Sequence, residues 1–311
     1  MVNRWCLTQR TQNPAILART MAGKMSALVD LARPKNMVLA GLTVVLGAHF
    51  GVAGDWSYDH SRAVTMQILA VSAFMGAGNA MNDIKDAMID AKAHPSRPLP
   101  SGRITETEAV RFVWLLMLFS VGSMGVGVFN LQSKGLEWWP FAVIYVVAVM
   151  LMLTYDLGPK TKERGLIGNI AISLMVAAVI AYGAASIGKM TPLVGWIALV
   201  VFFTNLAREI IKDCQDMIAD ADERSTLPMK IGIENARMVA YVIVLGGLVC
   251  LYIPYWQGPF VFNQLLFQTP AILVLIMLNG PLYKGEDALV ATRIRVAMLL
   301  GLLGFLLTLT M

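Results

Sequence analysis

The chain has 311 residues, of which 57% are hydrophobic and 14% are charged, and its mean hydropathy is +0.64. Soluble domains carry about 25% charged residues, so this composition excludes a soluble domain, a disordered chain and a secreted disulfide scaffold. The net charge of +5 does not indicate nucleic-acid binding, because the basic residues lie in short segments between apolar runs. Three separated cysteines without a CxxC spacing support neither a disulfide framework nor a zinc site. The composition therefore indicates a polytopic membrane protein.

Nine apolar runs follow one another along the chain, and a helix needs about 20 residues to cross the bilayer core. We predict an all-α protein with about nine transmembrane helices. The predicted spans are residues 37–53, 64–81, 109–129, 138–154, 167–187, 193–206, 238–255, 264–282 and 296–311. Residues 1–36 are predicted to form a cytoplasmic N-terminal segment whose amphipathic stretch, Ile16 to Leu31, lies on the membrane surface. Residues 37–311 are predicted to form the transmembrane domain.

The orientation follows from the basic residues in the segments between spans. With the N-terminus inside, alternate inside segments hold 21 of the 25 basic residues. The outside loops hold only Arg62, Lys134 and Lys189, and Arg111 begins a span. Because Lys and Arg are enriched in cytoplasmic loops, we predict a cell-membrane protein with a cytoplasmic N-terminus and an external C-terminus.

The acidic residues concentrate in the loops predicted after the second and sixth spans, which hold 12 of the 20 carboxylates. Both loops are predicted to be cytoplasmic caps. We call Asn82–Asp90 motif 1 and Arg208–Asp220 motif 2. Each has aspartates at i, i+3 and i+7, which are Asp83, Asp86, Asp90, Asp213, Asp216 and Asp220. The motifs lie four spans apart, as expected of a parallel repeat of a four-helix unit with a ninth helix added.

This spacing has a chemical consequence. On a helix it places three carboxylates on one face, where like charges repel unless a cation neutralises them. Oxygen ligands without His or thiolate indicate Mg²⁺, which proteins hold with few carboxylates and substrate phosphates. Two such motifs predict a diphosphate clamped through Mg²⁺. For either motif alone, a solvated acidic loop is the alternative. A transporter is a further alternative, but its functional charges are expected near the bilayer midplane.

Four sequence blocks resemble the UbiA superfamily of intramembrane prenyltransferases. They are LARPKN (31–36), NDIKDAMIDAKAHPSRPLPSGRIT (82–105), TYDLGPKTKERGLIGN (154–169) and REIIKDCQDMIADADERSTLPMKIG (208–232). The resemblance covers the chain from about residue 30 to the end. The REIIKD, TLP and RPLPSGRI elements most resemble the digeranylgeranylglyceryl phosphate synthases. Motif 1 departs from its commonest form at Ile84, Lys85 and Ala87, and Pro159 is a further departure.

The resemblance implies a UbiA-like fold and an Mg²⁺-dependent enzyme. It would transfer a prenyl group, expected to be geranylgeranyl, from its diphosphate to geranylgeranylglyceryl phosphate, forming the second ether bond of archaeal-type lipids. The alternative is prenylation of an aromatic or chlorophyll-type acceptor in quinone or pigment biosynthesis. The expected partners are a prenyl diphosphate, a lipid-phosphate acceptor and membrane lipid. No nucleic acid and no obligate protein partner are expected.

The resemblance also implies residue roles. It implies Mg²⁺ ligands at Asn82, Asp86, Asp90, Asp216 and Asp220, supported by Asp83 and Asp213. The basic candidates for the diphosphate or the acceptor's phosphate are Arg97, Arg103, Lys160, Lys162, Arg208 and Lys212. Their alternative role is to set the topology. The ring of Tyr155 would shelter the allylic cation, or anchor its helix at the interface.

Overall fold

The computed structural model describes residues 14–156, 161, 164–217 and 225–311, and over these residues the regular structure is entirely helical. Thirteen α-helices and one 3₁₀ helix, Phe262–Gln268, are present in the described ranges. In chain order the α-helices are α1 Pro14–Ala32, α2 Pro34–Gly51, α3 Tyr58–Lys85, α4 Ala87–Ala93, α5 Glu106–Ser133, α6 Trp139–Asp156, α7 Leu166–Ala185, α8 Pro192–Asp216, α9 Leu227–Ile231, α10 Ile233–Trp256, α11 Thr269–Ile276, α12 Asn279–Tyr283 and α13 Asp287–Thr310.

Helical structure lies over each of the nine predicted spans. Within the described part of the chain, seven helical segments are long and apolar enough to cross a membrane, and α6 is a shorter apolar helix. The seven are α3, α5, α7, α8, α10, α13 and the segment Phe262–Tyr283. The predicted all-α membrane fold is confirmed, whereas the count of nine crossings stays a prediction.

Several helices extend beyond their apolar runs. Helix α8 continues past Leu206 to Asp216, and α13 begins at Asp287 rather than at Val296. Backbone hydrogen bonding does not stop where the sequence becomes charged, because charged side chains reach from a helix end into the polar interface. Asp83 therefore lies on α3, and Asp213 and Asp216 lie on α8, so the prediction that all three stand in loops is wrong.

The predicted eighth span is not one continuous helix. The segment Phe262–Tyr283 consists of the 3₁₀ helix, α11 and α12. At the break after α11, the Met277 N–H donates to the Leu273 carbonyl at 3.0 Å and the Leu278 N–H donates to the Leu275 carbonyl at 3.3 Å. These local bonds satisfy backbone groups that lipid cannot satisfy.

The chain divides into two compact units. The first contains the residues up to Gly41 and Leu69–Ser123, and the second contains Leu42–Ile68 and the residues from Met124 onwards. In the first unit, one face of α1 is buried against the end of α3 and the start of α5, in a small core of Ala27, Leu31, Ala80, Ile104 and Ala109. Helix α1 is therefore packed on protein along one face, while its predicted place on the membrane surface stays a prediction.

The second unit contains a crossing of α2 and α7 at which the two backbones touch. A Cβ atom at Gly47 would lie 2.1 Å from the Ile180 carbonyl oxygen, and one at Gly183 would lie 2.2 Å from the Val44 carbonyl oxygen. Small residues allow such approach between transmembrane helices. We call Gly47 and Gly183, with these carbonyls, the glycine seam. Elsewhere in this unit α8, α10 and α13 share an apolar core that includes Ile210, Ala240 and Ile294.

Candidate active site

Motif 1 spans a break between two helices. Helix α3 ends at Lys85, α4 begins at Ala87, and Asp86 lies between them with φ −91° and ψ 6°. The Asp86 N–H donates to the Asn82 carbonyl at 2.9 Å, and the Asp90 N–H donates to the Asp86 carbonyl at 2.8 Å. This sparsely populated backbone region ends the first helix without leaving these amides unbonded. The prediction that the three aspartates of motif 1 share one face of a single helix is therefore wrong.

Two of these aspartates belong to an arginine–aspartate cluster, formed by Arg33, Asp83, Asp90 and Arg97. The carboxylates of Asp83 and Asp90 are each only 6% exposed. Arg33 Nη2 bonds Asp83 Oδ1, and Arg97 Nη1 bonds Asp90 Oδ2 and lies 3.7 Å from Asp83 Oδ1. Because a buried carboxylate is costly without a cation, the two arginines make the burial of both carboxylates tolerable.

The chain segments that carry these arginines are themselves fixed. Arg33 is the single residue between α1 and α2. Its backbone has a positive φ of 55°, and Pro34 follows it. Arg97 begins a turn that is tied to α1 by Arg103, whose Nη1 lies 2.7 Å from Asp30 Oδ2 and whose Nη2 donates to the Ser96 carbonyl at 3.2 Å. In this structure Arg103 holds the turn in place, which is a different contact from the predicted bond to substrate.

The other two predicted site residues of motif 1, Asn82 and Asp86, are half-buried. They are one helical turn apart, and the Asn82 amide has no hydrogen-bond partner among the described residues. Their oxygens suit a hard cation such as Mg²⁺. Over the described ranges, however, no group of three or more His, Cys, Asp or Glu side chains is placed to hold a metal ion. Asp220 lies outside the described residues, so the predicted ligand set stays a prediction.

The part of motif 2 that the structure describes lies in the last turns of α8. Glu209 receives bonds from Arg208 Nη1 at 2.6 Å and from Lys212 Nζ at 2.8 Å, so two predicted substrate-binding cations contact a carboxylate on their own helix. Asp213 Oδ2 accepts a hydrogen bond from Asn169 Nδ2 at 2.7 Å. Asp216 is exposed at the last position of α8.

A chain of neutral polar groups supports Asp213 from α7. Asn169 is 9% exposed, and its carbonyl accepts a bond from the Ser173 hydroxyl at 2.6 Å. The Ser173 hydroxyl in turn accepts from Asn205 Nδ2 at 3.1 Å, which links α7 to α8. Each member is hydrogen-bonded, so the network orients the Asn169 amide toward the aspartate without adding charge.

Arg208 carries a further feature. Its side chain is 16% exposed, and its Nε–H is buried without a hydrogen-bond partner in the described part of the chain. Arg295, exposed on α13, is near enough to interact with Arg208 electrostatically as a like charge. Two neighbouring guanidinium groups with an unused donor form an arrangement that a bound anion would stabilise.

Of the remaining predicted site residues, the structure describes only Tyr155. Lys160, Lys162 and Asp220 lie outside the described residues, and Tyr155 is half-buried on the last turn of α6. Sequence reasoning did not place Arg33, Asn169 or Arg295 in the site, although each lies beside a predicted site residue. Arg33 and Asn169 stand inside the LARPKN and TYDLGPKTKERGLIGN blocks, which was a usable signal, whereas Arg295 had no such marker.

Comparison with known proteins gives matches over most of the chain. The model of the UbiA prenyltransferase family matches residues 38–287. The digeranylgeranylglyceryl phosphate synthase of Methanopyrus kandleri is 35% identical over 285 residues, which cover 91% of this chain and 98% of that protein. The protein of the same name from Korarchaeum cryptofilum is 30% identical over 92% of this chain and 98% of its own length.

Solved structures agree with the sequence matches. A structure described as a digeranylgeranylglyceryl phosphate synthase in membranes matches with a TM-score of 0.76 and 25% identity, over 92% of this chain and 98% of that one. A UbiA homologue from Archaeoglobus fulgidus, bound to GPP and Mg²⁺, matches with a TM-score of 0.65 and 16% identity over 92% of this chain and all of its own. The chain therefore has the fold that these structures share.

Proposed function

Because the chain belongs to the UbiA prenyltransferase family, we propose that it transfers a geranylgeranyl group from geranylgeranyl diphosphate to geranylgeranylglyceryl phosphate. The product carries the second ether bond of archaeal-type membrane lipids. The observation that carries this proposal is the 35% identity, across 91% of the chain, to the Methanopyrus kandleri synthase. The matched structure described as the same synthase, with 25% identity, supports it independently.

Mg²⁺ is the proposed cofactor. The Archaeoglobus fulgidus homologue of this fold was solved with GPP and Mg²⁺, and the residues proposed as ligands here are all oxygen donors. The proposed ligands are Asn82, Asp86, Asp90, Asp216 and Asp220. Bound Mg²⁺ would neutralise the diphosphate and thereby improve it as a leaving group. Asp83 and Asp213 have supporting roles, consistent with their bonds to Arg33 and Asn169.

The arginine–aspartate cluster gives Arg97 a defined place. One Nη atom of Arg97 is committed to Asp90, and a guanidinium group has five N–H donors, so others remain for a diphosphate oxygen. We assign Arg97 to diphosphate binding. Arg103 uses three of its five donors on Asp30, Ser96 and Ser101, which fixes the turn that carries Arg97, and we leave its other two donors to a substrate phosphate.

The acceptor's phosphate is assigned to the cations near motif 2. Arg208 offers an unused buried donor beside Arg295, and Glu209 holds both Arg208 and Lys212. Lys160 and Lys162 are proposed to join them. A phosphate bound here would relieve the repulsion between the neighbouring cations, and an aromatic acceptor such as hydroxybenzoate would do so less.

The reaction needs little acid–base help from the protein. Cleavage of the allylic C1–O bond leaves diphosphate and a delocalised cation, and the acceptor hydroxyl oxygen then bonds C1 and releases its proton to a diphosphate oxygen. The protein must exclude water and stabilise the leaving group. The face of the Tyr155 ring is proposed to shelter the cation, which an aromatic ring attracts electrostatically.

The protein is an integral membrane protein. We place it in the cell membrane with its N-terminus and both motifs on the cytoplasmic side, because 21 of its 25 basic residues fall in the segments assigned to that side. The amphipathic segment 1–36 and the transmembrane domain 37–311 keep their proposed boundaries, although α2 already begins at Pro34.

A product assay tests the acceptor. Purified protein receives a mixture of prenyl diphosphates together with geranylgeranylglyceryl phosphate and hydroxybenzoate, and mass spectrometry identifies the products. The expected product is digeranylgeranylglyceryl phosphate, formed only when Mg²⁺ is present. Prenylated hydroxybenzoate, with the glyceryl phosphate left unreacted, would overturn the proposed acceptor but not the family.

A second assay tests the phosphate-binding cations. Lys160→Gln, Lys162→Gln and Arg295→Gln should each raise the KM for geranylgeranylglyceryl phosphate more than the KM for geranylgeranyl diphosphate. Each lost charge-assisted bond is worth about 1.5–3 kcal/mol. Arg293→Gln, two residues from Arg295 on α13, is the matched control. Equal changes in both KM values would assign these residues to the diphosphate or to topology instead.

A further inference from the structure

A cavity of about 700 Å³ opens between the first turns of α3 and the last turns of α5. All of its lining residues belong to the second unit. Motif 1, in contrast, begins in the last turn of α3, so the cavity and the motif are at opposite ends of one 28-residue helix. The proposed prenyl transfer uses none of the cavity residues.

The lining of the cavity changes from polar to apolar along the helices. Its charged residues, Asp59, Arg62 and Lys134, are near the helix ends. Further along both helices its walls are mostly apolar, with Ala63, Met66, Val126 and Phe129 beside the polar side chains of Thr65 and Asn130. Along α5, about two helical turns, or about 11 Å, separate the position of Lys134 from that of Gly127 at the inner end of the cavity.

The inner end is closed by a buried amide. Gln67 is 1% exposed, and its Oε1 accepts a bond from the Tyr182 hydroxyl at 2.7 Å. Gly127 presses against this amide, because a Cβ atom there would lie 2.4 Å from Gln67 Nε2. The cavity is therefore a bounded recess with a polar mouth, apolar walls and a fixed floor.

The mouth carries an excess of positive charge. Lys134 Nζ lies 3.5 Å from Asp59 Oδ2, and the two side chains are 40% and 67% exposed, so this pair is loose and solvated. Arg62 is exposed and has no ion-pair partner among the residues that the structure describes. The planar guanidinium group of arginine matches a phosphate with two parallel hydrogen bonds.

We propose that this cavity binds an anionic membrane phospholipid. Its phosphate would lie at Arg62 and Lys134, and the first carbons of one chain would lie along Met66, Val126 and Phe129. The polarity of the cavity follows that of a lipid, from a charged head to an apolar chain, and arginine and lysine side chains bind phosphate through charge-assisted hydrogen bonds. A soluble phosphate would use only the mouth and leave the apolar walls in contact with water.

Native mass spectrometry of the full chain in detergent tests this proposal, with dioleoylphosphatidylglycerol as the anionic probe and dioleoylphosphatidylcholine as the zwitterionic one. The wild-type protein should retain the anionic lipid preferentially. Arg62→Gln should weaken that binding about tenfold, the loss expected for one charge-assisted contact. Asp59→Asn should strengthen it, because the Asp59 carboxylate competes with the phosphate for Lys134. Lys189→Gln, outside the cavity and predicted to be on the same membrane side, should change nothing.

Further variants separate a lipid from a free phosphate. Val126→Trp fills the apolar part of the cavity while leaving Arg62 in place, so it should abolish retention of the lipid. Complete displacement of the lipid by sn-glycerol 3-phosphate would show that the mouth alone binds, and would overturn the proposal. Unchanged lipid binding in Arg62→Gln, or weaker binding in Asp59→Asn, would overturn it as well. Prenyl transfer by all of these variants should match that of the wild-type protein.

Discussion

The carboxylates of motif 1 and those of motif 2 are held in different ways. In motif 1, Asp83 and Asp90 are almost fully buried and bonded to arginines. In the described part of motif 2, Asp213 accepts a hydrogen bond from the neutral amide of Asn169, Asp216 is exposed, and Arg208 and Lys212 bond Glu209. Two stretches with the same aspartate spacing have thus acquired different electrostatic environments.

The difference shows that the spacing of carboxylates does not determine their task. In motif 1, ion pairs fix the buried carboxylates, so their geometry depends on the arginines. In motif 2, a neutral hydrogen-bond network from α7 helps to orient Asp213. Motif 1 should therefore be more sensitive to loss of its partners, and motif 2 less so.

The largest expected effect is an all-or-none difference in labelling. Cysteines at Ser101, after motif 1, and at Ser225, after motif 2, should react only with reagents on the cytoplasmic side. A cysteine at Ser133 should react only from outside, because the distribution of basic residues predicts that this loop is external. The test uses a background without the native cysteines and a membrane-impermeant maleimide. Labelling of Ser101 and Ser225 from opposite faces would end any comparison of the motifs as parts of one enzyme.

Next in size is the loss of a proposed metal ligand. Asp86→Ala and Asp220→Ala should each lower turnover by about a hundredfold or more, because Mg²⁺ would no longer be held against the diphosphate. Steady-state rates at saturating Mg²⁺, with thermal unfolding in detergent as the folding check, measure the effect. Glu106→Gln, an exposed carboxylate at the start of α5, is the control. Near-normal turnover in either alanine variant would remove that aspartate from the ligand set.

A smaller effect is expected when motif 1 loses an arginine. Arg33→Gln leaves Asp83 buried with one cation fewer, which should lower the free energy of unfolding by about 2 kcal/mol. Adding Asp83→Asn should restore part of that stability, since the buried charge is then gone. Chemical denaturation in detergent measures both, with Lys35→Gln, an exposed neighbour, as the control. A double variant that is less stable than the single one would show that the ion pair with Arg33 does not compensate the cost of burying the Asp83 carboxylate.

The smallest effect is expected at the neutral support of motif 2. Asn169→Ala removes one hydrogen bond to Asp213 and should cost about 1 kcal/mol of stability. The same denaturation experiment gives the value, and Gln215→Ala, exposed on α8, serves for comparison. A loss larger than that of Arg33→Gln would reverse the stated difference between the motifs.

Much of the fold could be predicted because lipid imposes a simple rule on sequence. Each apolar run coincides with helical structure, and several helix ends were displaced, as at Asp216 and Asp287. Hydropathy marks where lipid ends, whereas hydrogen bonding decides where a helix ends. The break after Ile276 was missed for a related reason, since an apolar run stays apolar whether or not its backbone is continuous.

The candidate site was predictable only in its residue types. Spacing identified the aspartates, but it could not reveal that Arg33 reaches Asp83 or that Asn169 reaches Asp213, since each pair is more than 40 positions apart in the sequence. The spacing of apolar and polar residues could not predict the break at Asp86 either, because the sequence on both sides of Asp86 has a helical pattern. Partners of a charged residue come from tertiary packing, which local pattern does not encode.

The glycine seam has a consequence for the order of events during synthesis. Gly47 and Gly183 stand 136 residues apart in the chain, and translation adds about 5–20 residues per second, so α2 emerges roughly 7–27 s before α7. For that interval one face of α2 has nothing of its own protein to pack against. A substitution such as Gly47→Ala should therefore leave insertion of the early helices undisturbed. It would act only once α7 arrives, as a late failure of assembly in a chain that has already entered the membrane.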